Sequence, residues 1–172
     1  VGHLVALSRR LYETNGRCRS GAWEKNNIER YEVQGKVLGV LGLGNIGRSV
    51  ARTCEALGME IRFFDTREVS CELGRELGWT MASSVEDLFR SSDAVTVHVS
   101  ARDIAGHSNE KLLNGSILSK LGADRPTHSP RIFLNLSRGF LHEAEDLLAA
   151  VEAGHIKRAA VDVYPSEPRG KG

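Results

Sequence analysis

The sequence predicts an α/β domain with a doubly wound parallel sheet, and two observations favour that class. Residues 35–65 have the order strand, glycine turn, helix and strand, which is typical of a parallel βαβ unit. Beyond residue 65, short apolar runs alternate with helical segments, as expected where strands pair through right-handed helical crossovers. The 172 residues suffice for one such domain. We expect its ligands beyond the carboxyl ends of the strands.

The composition excludes several classes of partner. The net charge is +1 and the basic residues are scattered, so nothing in the charge pattern favours nucleic acid or an acidic membrane. No apolar run approaches the ~20 residues that span a bilayer, and no signal peptide is visible. The three cysteines form no CxxC motif, which fits thiols in a reducing compartment. We therefore expect a cytoplasmic protein.

The first 34 residues precede the strand, turn and helix unit. Four apolar residues recur there at helical spacing: Leu4, Leu7, Leu11 and Tyr12. They predict a helix over residues 3–14, which Asn15-Gly16 is expected to end. We assign residues 1–34 to a helix and loop outside the sheet, either packed on the core or in contact with another domain or subunit.

A glycine-rich turn follows the first predicted strand, residues 37–41. Gly42, Gly44 and Gly47 match G-x-G-x-x-G, and apolar residues at helical spacing continue to residue 57. The first glycine permits the tight turn, the second lets the backbone approach a diphosphate, and the third lets the helix pack closely on the strand. Amides at the start of a helix attract an anion. This pattern predicts a Rossmann-type dinucleotide site, and a plain tight turn is the alternative.

An acid ends the second predicted strand, residues 59–64. Asp65 follows Gly47 by 18 residues, close to the ~20 expected for the acid that binds the adenosine ribose. Its carboxylate can accept hydrogen bonds from ribose hydroxyls and would repel a 2′-phosphate, which favours NAD over NADP. Arg67 would weaken that repulsion, so NADP stays open.

The rest of the chain supplies the alternating elements. Strands are predicted at residues 79–82, 94–99, 131–136 and 159–164, and helices at residues 71–77, 84–89 and 143–153. Residues 110–121 are expected to form one or two short helices that are broken at Asn114-Gly115. Residues 122–130 form a long loop whose role the sequence does not indicate. We assign residues 35–164 to the Rossmann core and residues 165–172 to a truncated hinge segment.

Two charged residues near strand ends are candidates for chemistry. Arg138 follows an apolar strand, where its planar fork can bind a carboxylate, and a surface arginine is the alternative. Glu167 lies in a loop stiffened by two prolines, where a carboxylate can tune a histidine, and a solvated acid is the more usual case. The histidines are too scattered for a metal site, so we expect none.

Three motifs in order resemble those of the D-isomer-specific 2-hydroxyacid dehydrogenases: residues 35–47, 135–139 and 159–168. The resemblance covers nearly the whole chain and implies hydride transfer between a 2-hydroxy acid and NAD. It implies these cofactor-binding residues: Gly42, Gly44, Asn45, Ile46, Gly47, Asp65, Val99, Ser100, Leu136, Ser137, Arg138 and Asp162. Asn45 and Ile46 would touch the diphosphate, residues 136–138 would line the nicotinamide side, and Asp162 would contact the carboxamide.

The resemblance also implies the catalytic groups. Arg138 would orient the carboxylate and keto oxygen of a small-molecule substrate, and Glu167 would raise the pKa of a histidine that acts as general acid and base. That histidine normally follows the motif glutamate, and this chain ends at Gly172 before reaching it. The family's substrate domain comes from segments on both sides of this one. We therefore expect the chain alone to bind NAD and to turn over nothing.

Within the family, the sequence is most similar to the D-3-phosphoglycerate dehydrogenases, which implies 3-phosphoglycerate as substrate and a role in serine biosynthesis. A glyoxylate, hydroxypyruvate or D-lactate dehydrogenase is the alternative in the same class. A nucleotide-sensing corepressor-like interaction module, or a regulatory NAD-binding domain, is the alternative outside it. The helix at residues 3–14 would contact a second subunit in the family, so we expect a homodimer or tetramer of the complete protein.

Overall fold

The computed structural model describes residues 1–23 and 28–164. Its strands are β1 (Val37–Leu41), β2 (Glu60–Phe64), β3 (Thr80–Met81), β4 (Ala94–Val97), β5 (Ile132–Asn135) and β6 (Arg158–Val161). All pair in parallel, in the order β3-β2-β1-β4-β5-β6. This is the strand order of a dinucleotide-binding sheet, and it confirms the predicted fold class.

Helices cover both faces of this sheet. They are α1 (Gly2–Arg9), α2 (Leu11–Arg19), α3 (Asn45–Ala56), α4 (Glu68–Glu76), α5 (Val85–Arg90), α6 (Gly115–Leu118) and α7 (Ala144–Glu152), with a 3₁₀ turn at Gly139–Leu141. Alternate residues of a strand point to opposite faces, so Leu134 packs with α1, α3 and α4, whereas Phe133 packs with α5, α6 and α7. The two apolar cores hold the sheet rigid beneath its carboxyl edge.

The predicted N-terminal helix is wrong in its length and in its buried face. Arg10 adopts a left-handed conformation (φ 53°, ψ 42°) that ends α1 and begins α2, and α2 continues through Asn15-Gly16. The break changes the direction of the chain, so the apolar spacing of the sequence no longer marks one face. Leu4 is buried, whereas Leu11 and Tyr12 are 51% and 61% exposed.

Two strands also differ by two or more residues at one end from those predicted. The strand predicted at residues 94–99 ends at Val97, because residues 98–100 leave the sheet and line a crevice beyond it. The strand predicted at residues 159–164 covers Arg158–Val161 instead. In both cases one further backbone hydrogen bond follows the strand, from the His98 amide to the Leu41 carbonyl at 2.7 Å and from the Asp162 amide to the Asn135 carbonyl at 3.2 Å, and the chain then leaves the sheet.

The long loop at residues 122–130 packs against the amino ends of the central strands. Asp93, 1% exposed, accepts hydrogen bonds from the Val37 amide at 2.8 Å and from Arg125 Nε at 3.2 Å, and its Oδ2 forms an ion pair with Arg125 Nη2 at 3.0 Å. Asp124 receives two hydrogen bonds from Arg90, at 2.6 and 3.0 Å. These pairs anchor the loop at the starts of β1 and β4, at the opposite edge from the crevice.

In the described ranges, no helix has the length and apolar character needed to cross a bilayer. The three cysteines are free thiols, with Cys18 exposed and Cys54 and Cys71 buried. Burial raises the pKa of the Cys54 and Cys71 thiols, which keeps both protonated.

Candidate dinucleotide-binding site

The candidate site is a crevice at the carboxyl ends of β1 and β4, where the strand order reverses. Open α/β sheets bind ligands at this point, because the connections leave the two strands toward opposite faces. Two cavities of about 370 and 420 Å³ open here. Both are lined by residues 98–100, so they are two halves of one crevice.

The structure brings most of the predicted cofactor residues to this crevice. The first cavity is lined by Ile46, Val99, Ser100, Leu136, Ser137 and Arg138, together with the start of α1. The second is lined by Gly42, Gly44, Asp65, Val99 and Ser100. Three predicted residues line neither cavity: Asn45, Gly47 and Asp162. Glu167 lies outside the described residues.

Two of the three motif glycines are required by the fold itself. Gly42 has a φ of 91°, and a Cβ there would lie 2.8 Å from the His98 carbonyl oxygen. A Cβ on Gly47 would lie 2.1 Å from the Gly42 carbonyl oxygen. The turn therefore packs directly on the helix that follows it and on the end of β4.

Gly44 is different, because none of the residues that the structure describes requires a glycine there. Its φ of −70° and ψ of −168° are accessible to any residue. A Cβ would meet only Arg67 Nη2, at 3.4 Å, and would otherwise enter the second cavity. The bare backbone at Gly44 thus leaves room for a ligand that approaches the main chain, which is what a diphosphate needs.

The first turn of α3 is open to an anion. Gly44 is its N-cap, no side chain caps the helix, and no acid lies in the first turn. The leading amides of a helix have no intrahelical partner and carry the positive end of the helix dipole. Ile46, in this first turn, is 70% exposed at the crevice. Room at Gly44 and uncapped amides together fit the diphosphate of a dinucleotide.

Asp65 stands at the edge of the second cavity and is 8% exposed. It accepts hydrogen bonds from the Leu43 amide at 2.7 Å, from the Arg67 amide at 2.8 Å, and from the Arg67 guanidinium at 2.8 and 3.1 Å. Burial alone would raise the pKa of Asp65, but these bonds outweigh it and hold the pKa below its usual value. The carboxylate is therefore ionised and rigid.

Asn135 organises the turn that presents Arg138 to the first cavity. Its side chain is fully buried; Nδ2 donates to the Arg138 carbonyl at 2.9 Å, and Oδ1 accepts from the Ser137 amide and hydroxyl at 3.1 and 3.0 Å. The exposed Arg138 donates from Nη1 to the Ser137 carbonyl at 2.7 Å, and its other N–H groups have no partner among the described residues. The turn thus offers a guanidinium at the crevice.

His98 joins the two cavities as an uncharged group. Its Nε2 is 3.0 Å from Thr96 Oγ1. Burial lowers the pKa of His98 to about 4, so the imidazole is neutral at physiological pH. A neutral ring can both donate and accept a hydrogen bond in the crevice without adding charge.

The partly buried His98 predicts a loss of stability in mild acid. The unfolded chain binds a proton on His98 below about pH 6.5, whereas the folded chain does so only near pH 4. The unfolded state binds more protons between these values, so stability falls as the pH drops through this window. We expect His98→Gln to remove about 2 kcal/mol of the stability difference between pH 7 and pH 5, measured by urea unfolding.

The exposed His155 is the matched control for this measurement. His155→Gln should leave the pH dependence unchanged, because water surrounds this exposed side chain in the folded and in the unfolded chain alike. Equal pH dependence in wild type and His98→Gln would contradict the assignment of the acid sensitivity to His98.

Sequence reasoning gave only part of the role of two groups that shape the site. Asn135 belongs to a motif of the sequence, but its positioning role follows from its complete burial and its bonds, which the sequence does not show. Arg67 was expected to weaken the repulsion of a 2′-phosphate, but its bonds to Asp65 depend on side-chain geometry. In residues 1–23 and 28–164, no group of three or more His, Cys, Asp or Glu side chains is arranged to hold a metal ion.

Comparison with known proteins gives a family and several relatives. The family model described as "D-isomer specific 2-hydroxyacid dehydrogenase, NAD binding domain" matches residues 1–172. D-3-phosphoglycerate dehydrogenase 2 of Saccharomyces cerevisiae is 31% identical over 172 residues, which are 100% of this chain and 34% of the relative. D-3-phosphoglycerate dehydrogenase of Escherichia coli K12 is 32% identical over 173 residues, covering 98% of this chain and 38% of the relative. The chain thus spans little more than a third of these relatives.

Solved structures of oxidoreductases also match this chain. Phosphoglycerate oxidoreductase from Vibrio cholerae O395 matches with a TM-score of 0.79 and 28% identity, over 96% of this chain and 50% of that one. A glyoxylate reductase from Paecilomyes thermophila matches with a TM-score of 0.77 and 26% identity, over 98% of this chain and 47% of that one. Both alignments extend over nearly all of the chain.

The strand order, the glycine turn and the crevice define a Rossmann-type dinucleotide-binding domain. The match over all 172 residues makes the assignment more specific. The chain belongs to the D-isomer specific 2-hydroxyacid dehydrogenase family and is its NAD-binding domain. The resemblance noted from the motifs and NAD as the cofactor are thereby confirmed.

Proposed function

We propose that this domain serves an NAD-dependent dehydrogenase that oxidises 3-phosphoglycerate, in serine biosynthesis. The observation that carries the proposal is Arg138, held at the cavity that contains the residues expected around the nicotinamide. A guanidinium there suits a 2-hydroxy acid, because its fork pairs with a carboxylate. The choice of phosphoglycerate is supported by the relatives of that name at 31% and 32% identity.

The predicted cofactor contacts become proposals for this crevice. The diphosphate lies on the turn Gly42–Gly47, against the amides of Gly44, Asn45 and Ile46. The adenosine ribose lies by Asp65. The nicotinamide occupies the first cavity beside Val99, Ser100, Leu136 and Ser137, and Asp162 binds the carboxamide. The shape that supports this assignment is a crevice of two halves joined at residues 98–100.

Catalysis then needs groups from this domain and from elsewhere in the complete protein. Arg138 binds the substrate carboxylate and the oxygen on the reacting carbon, which fixes that carbon at one face of the nicotinamide. When bound, NAD accepts the hydride. Glu167 pairs with a histidine that accepts the hydroxyl proton, and we propose that this histidine and a substrate domain come from outside the 172 residues.

The N-terminal segment fits a role outside the nucleotide core. Residues 35–164 are proposed as the Rossmann core, residues 1–34 as an interdomain or subunit-contact segment, and residues 165–172 as the start of a hinge. The exposed Leu11 and Tyr12 on α2 support a contact with another domain or subunit. We propose a cytoplasmic homodimer or tetramer that acts on a small-molecule substrate.

The test compares the 172-residue chain with the complete protein that contains it. The chain alone should bind NAD and produce no NADH with 3-phosphoglycerate, whereas the complete protein should produce it. Glyoxylate, hydroxypyruvate and pyruvate, each with NADH, are the comparison substrates. A complete protein that reduces one of these and leaves 3-phosphoglycerate untouched would refute the substrate assignment, and turnover by the chain alone would refute the assignment of the missing groups.

A further inference from the structure

The carboxylate of Asp65 has no free hydrogen-bonding position. Oδ1 accepts from the Arg67 amide at 2.8 Å and from Arg67 Nε at 3.1 Å. Oδ2 accepts from the Leu43 amide at 2.7 Å and from Arg67 Nη2 at 2.8 Å. A carboxylate offers about four acceptor positions, two on each oxygen. A ribose hydroxyl can therefore bond to Asp65 only after Arg67 releases it.

Arg67, and not Asp65, is the group that the second cavity presents to a ligand. The side chain of Asp65 is 5% exposed, whereas that of Arg67 is 47% exposed. The guanidinium also borders the glycine turn, since a Cβ on Gly44 would lie 3.4 Å from Arg67 Nη2. Only Nε and one N–H of Nη2 are used on Asp65, and the remaining N–H groups have no partner among the described residues.

The charge at the ribose end is consequently balanced. Arg67 and Asp65 form an ion pair of zero net charge, and the bond to Asp65 raises the pKa of Arg67, which keeps the guanidinium charged. Asp103, which also lines the second cavity, accepts hydrogen bonds from the backbone amide of His107 and contacts its ring, so this acid is also occupied. A 2′-phosphate would meet an available guanidinium where an unpaired carboxylate would have repelled it.

We propose that Arg67 determines cofactor choice in this domain and makes it accept NADP as well as NAD. The inference rests on the proposed position of the dinucleotide in the crevice. Arg67 neutralises Asp65 and binds the 2′-phosphate of NADP through its unused N–H groups. With NAD, Arg67 releases part of Asp65 to the ribose hydroxyls. The charge of Asp65, which would otherwise repel the 2′-phosphate, is thereby neutralised.

Calorimetric titration of the 172-residue chain with NAD⁺ and with NADP⁺ tests this proposal. The wild-type chain should bind the two cofactors with affinities within ~10-fold of each other, about 1.4 kcal/mol. Arg67→Gln should weaken NADP⁺ at least ~10-fold, because the charged fork is lost, while NAD⁺ binds equally well or better. The affinity of Arg67→Lys for NADP⁺ should fall between those of wild type and Arg67→Gln, because lysine keeps the positive charge and lacks the planar guanidinium.

Arg75, on the last turn of α4 and outside both cavities, is the matched control for the loss of one positive charge. Arg75→Gln should leave both affinities unchanged, and thermal unfolding checks that every variant is folded. If NAD⁺ binds and Arg67→Gln leaves the ratio of the two affinities unchanged, the role of Arg67 is refuted and the dinucleotide site stands. If neither cofactor binds the wild-type chain, the proposed function fails together with this inference.

Discussion

The Gly44→Val variant is expected to bind NAD at least ~100-fold more weakly than wild type, a loss of about 2.7 kcal/mol. The added side chain would fill the room in front of the first turn of α3, where the diphosphate must approach the main chain. The backbone at Gly44 is extended, which valine adopts readily, so the fold should lose only about 1 kcal/mol from the poorer N-cap. Calorimetry with NAD⁺ and urea unfolding measure the two effects separately.

The Gly44→Ser variant separates lost space from lost capping. Serine is a favoured N-cap residue, so Gly44→Ser should unfold at nearly the wild-type urea concentration. It should still bind NAD more weakly than wild type, because its hydroxymethyl group enters the same room. Wild-type affinity in Gly44→Val would show that the ligand does not approach the main chain at this turn.

The Gly47→Ala variant should lose folding stability, whereas the Gly44 variants mainly lose room for the ligand. The new Cβ would lie 2.1 Å from the Gly42 carbonyl oxygen and 3.3 Å from Val40 Cγ1, so the turn or α3 must move. Backbone cannot yield as a flexible side chain can, and we expect a loss of about 3 kcal/mol or more in the free energy of unfolding. Urea unfolding of the purified chain measures this loss, and weaker NAD binding should accompany it.

The control for Gly47→Ala is a glycine that meets no neighbour among the described residues. Gly16 lies within α2, and a Cβ there would have no atom of residues 1–23 or 28–164 within 4 Å. Gly16→Ala should stabilise the chain by about 0.5 to 1 kcal/mol, because alanine favours a helix more than glycine does. Equal stability of Gly47→Ala and wild type would contradict the close packing of the turn on α3.

The glycine turn and the strand order were predictable because they depend on local patterns. Gly42 and Gly47 are fixed by close contacts that any strand, turn and helix of this type makes, so their spacing in the sequence carries the information. The alternation of apolar runs similarly determines parallel pairing, since right-handed crossovers leave few other topologies. The sheet therefore follows from the sequence, with errors of a few residues at the ends of β4 and β6.

What could not be predicted depends on side chains that meet across the fold or on single backbone angles. The left-handed Arg10 divides the first helix, and arginine is not a residue that signals such a conformation. The pairing of Asp93 with Arg125 joins residues 32 positions apart and gives the loop at residues 122–130 a role that the sequence does not indicate. Because Arg67 bonds to Asp65, this acid is one half of an ion pair and not the unpaired ribose ligand that the sequence predicts.

The most direct test of the dinucleotide site is amide NMR of the ¹⁵N-labelled chain during titration with NAD⁺. The site at the start of α3 predicts that the largest changes in chemical shift occur at the amides of Gly44, Asn45, Ile46 and Gly47, with further changes at residues 98–100. Saturable changes that leave residues 44–47 unaffected, or no change at millimolar NAD⁺, would contradict binding of the diphosphate at this turn.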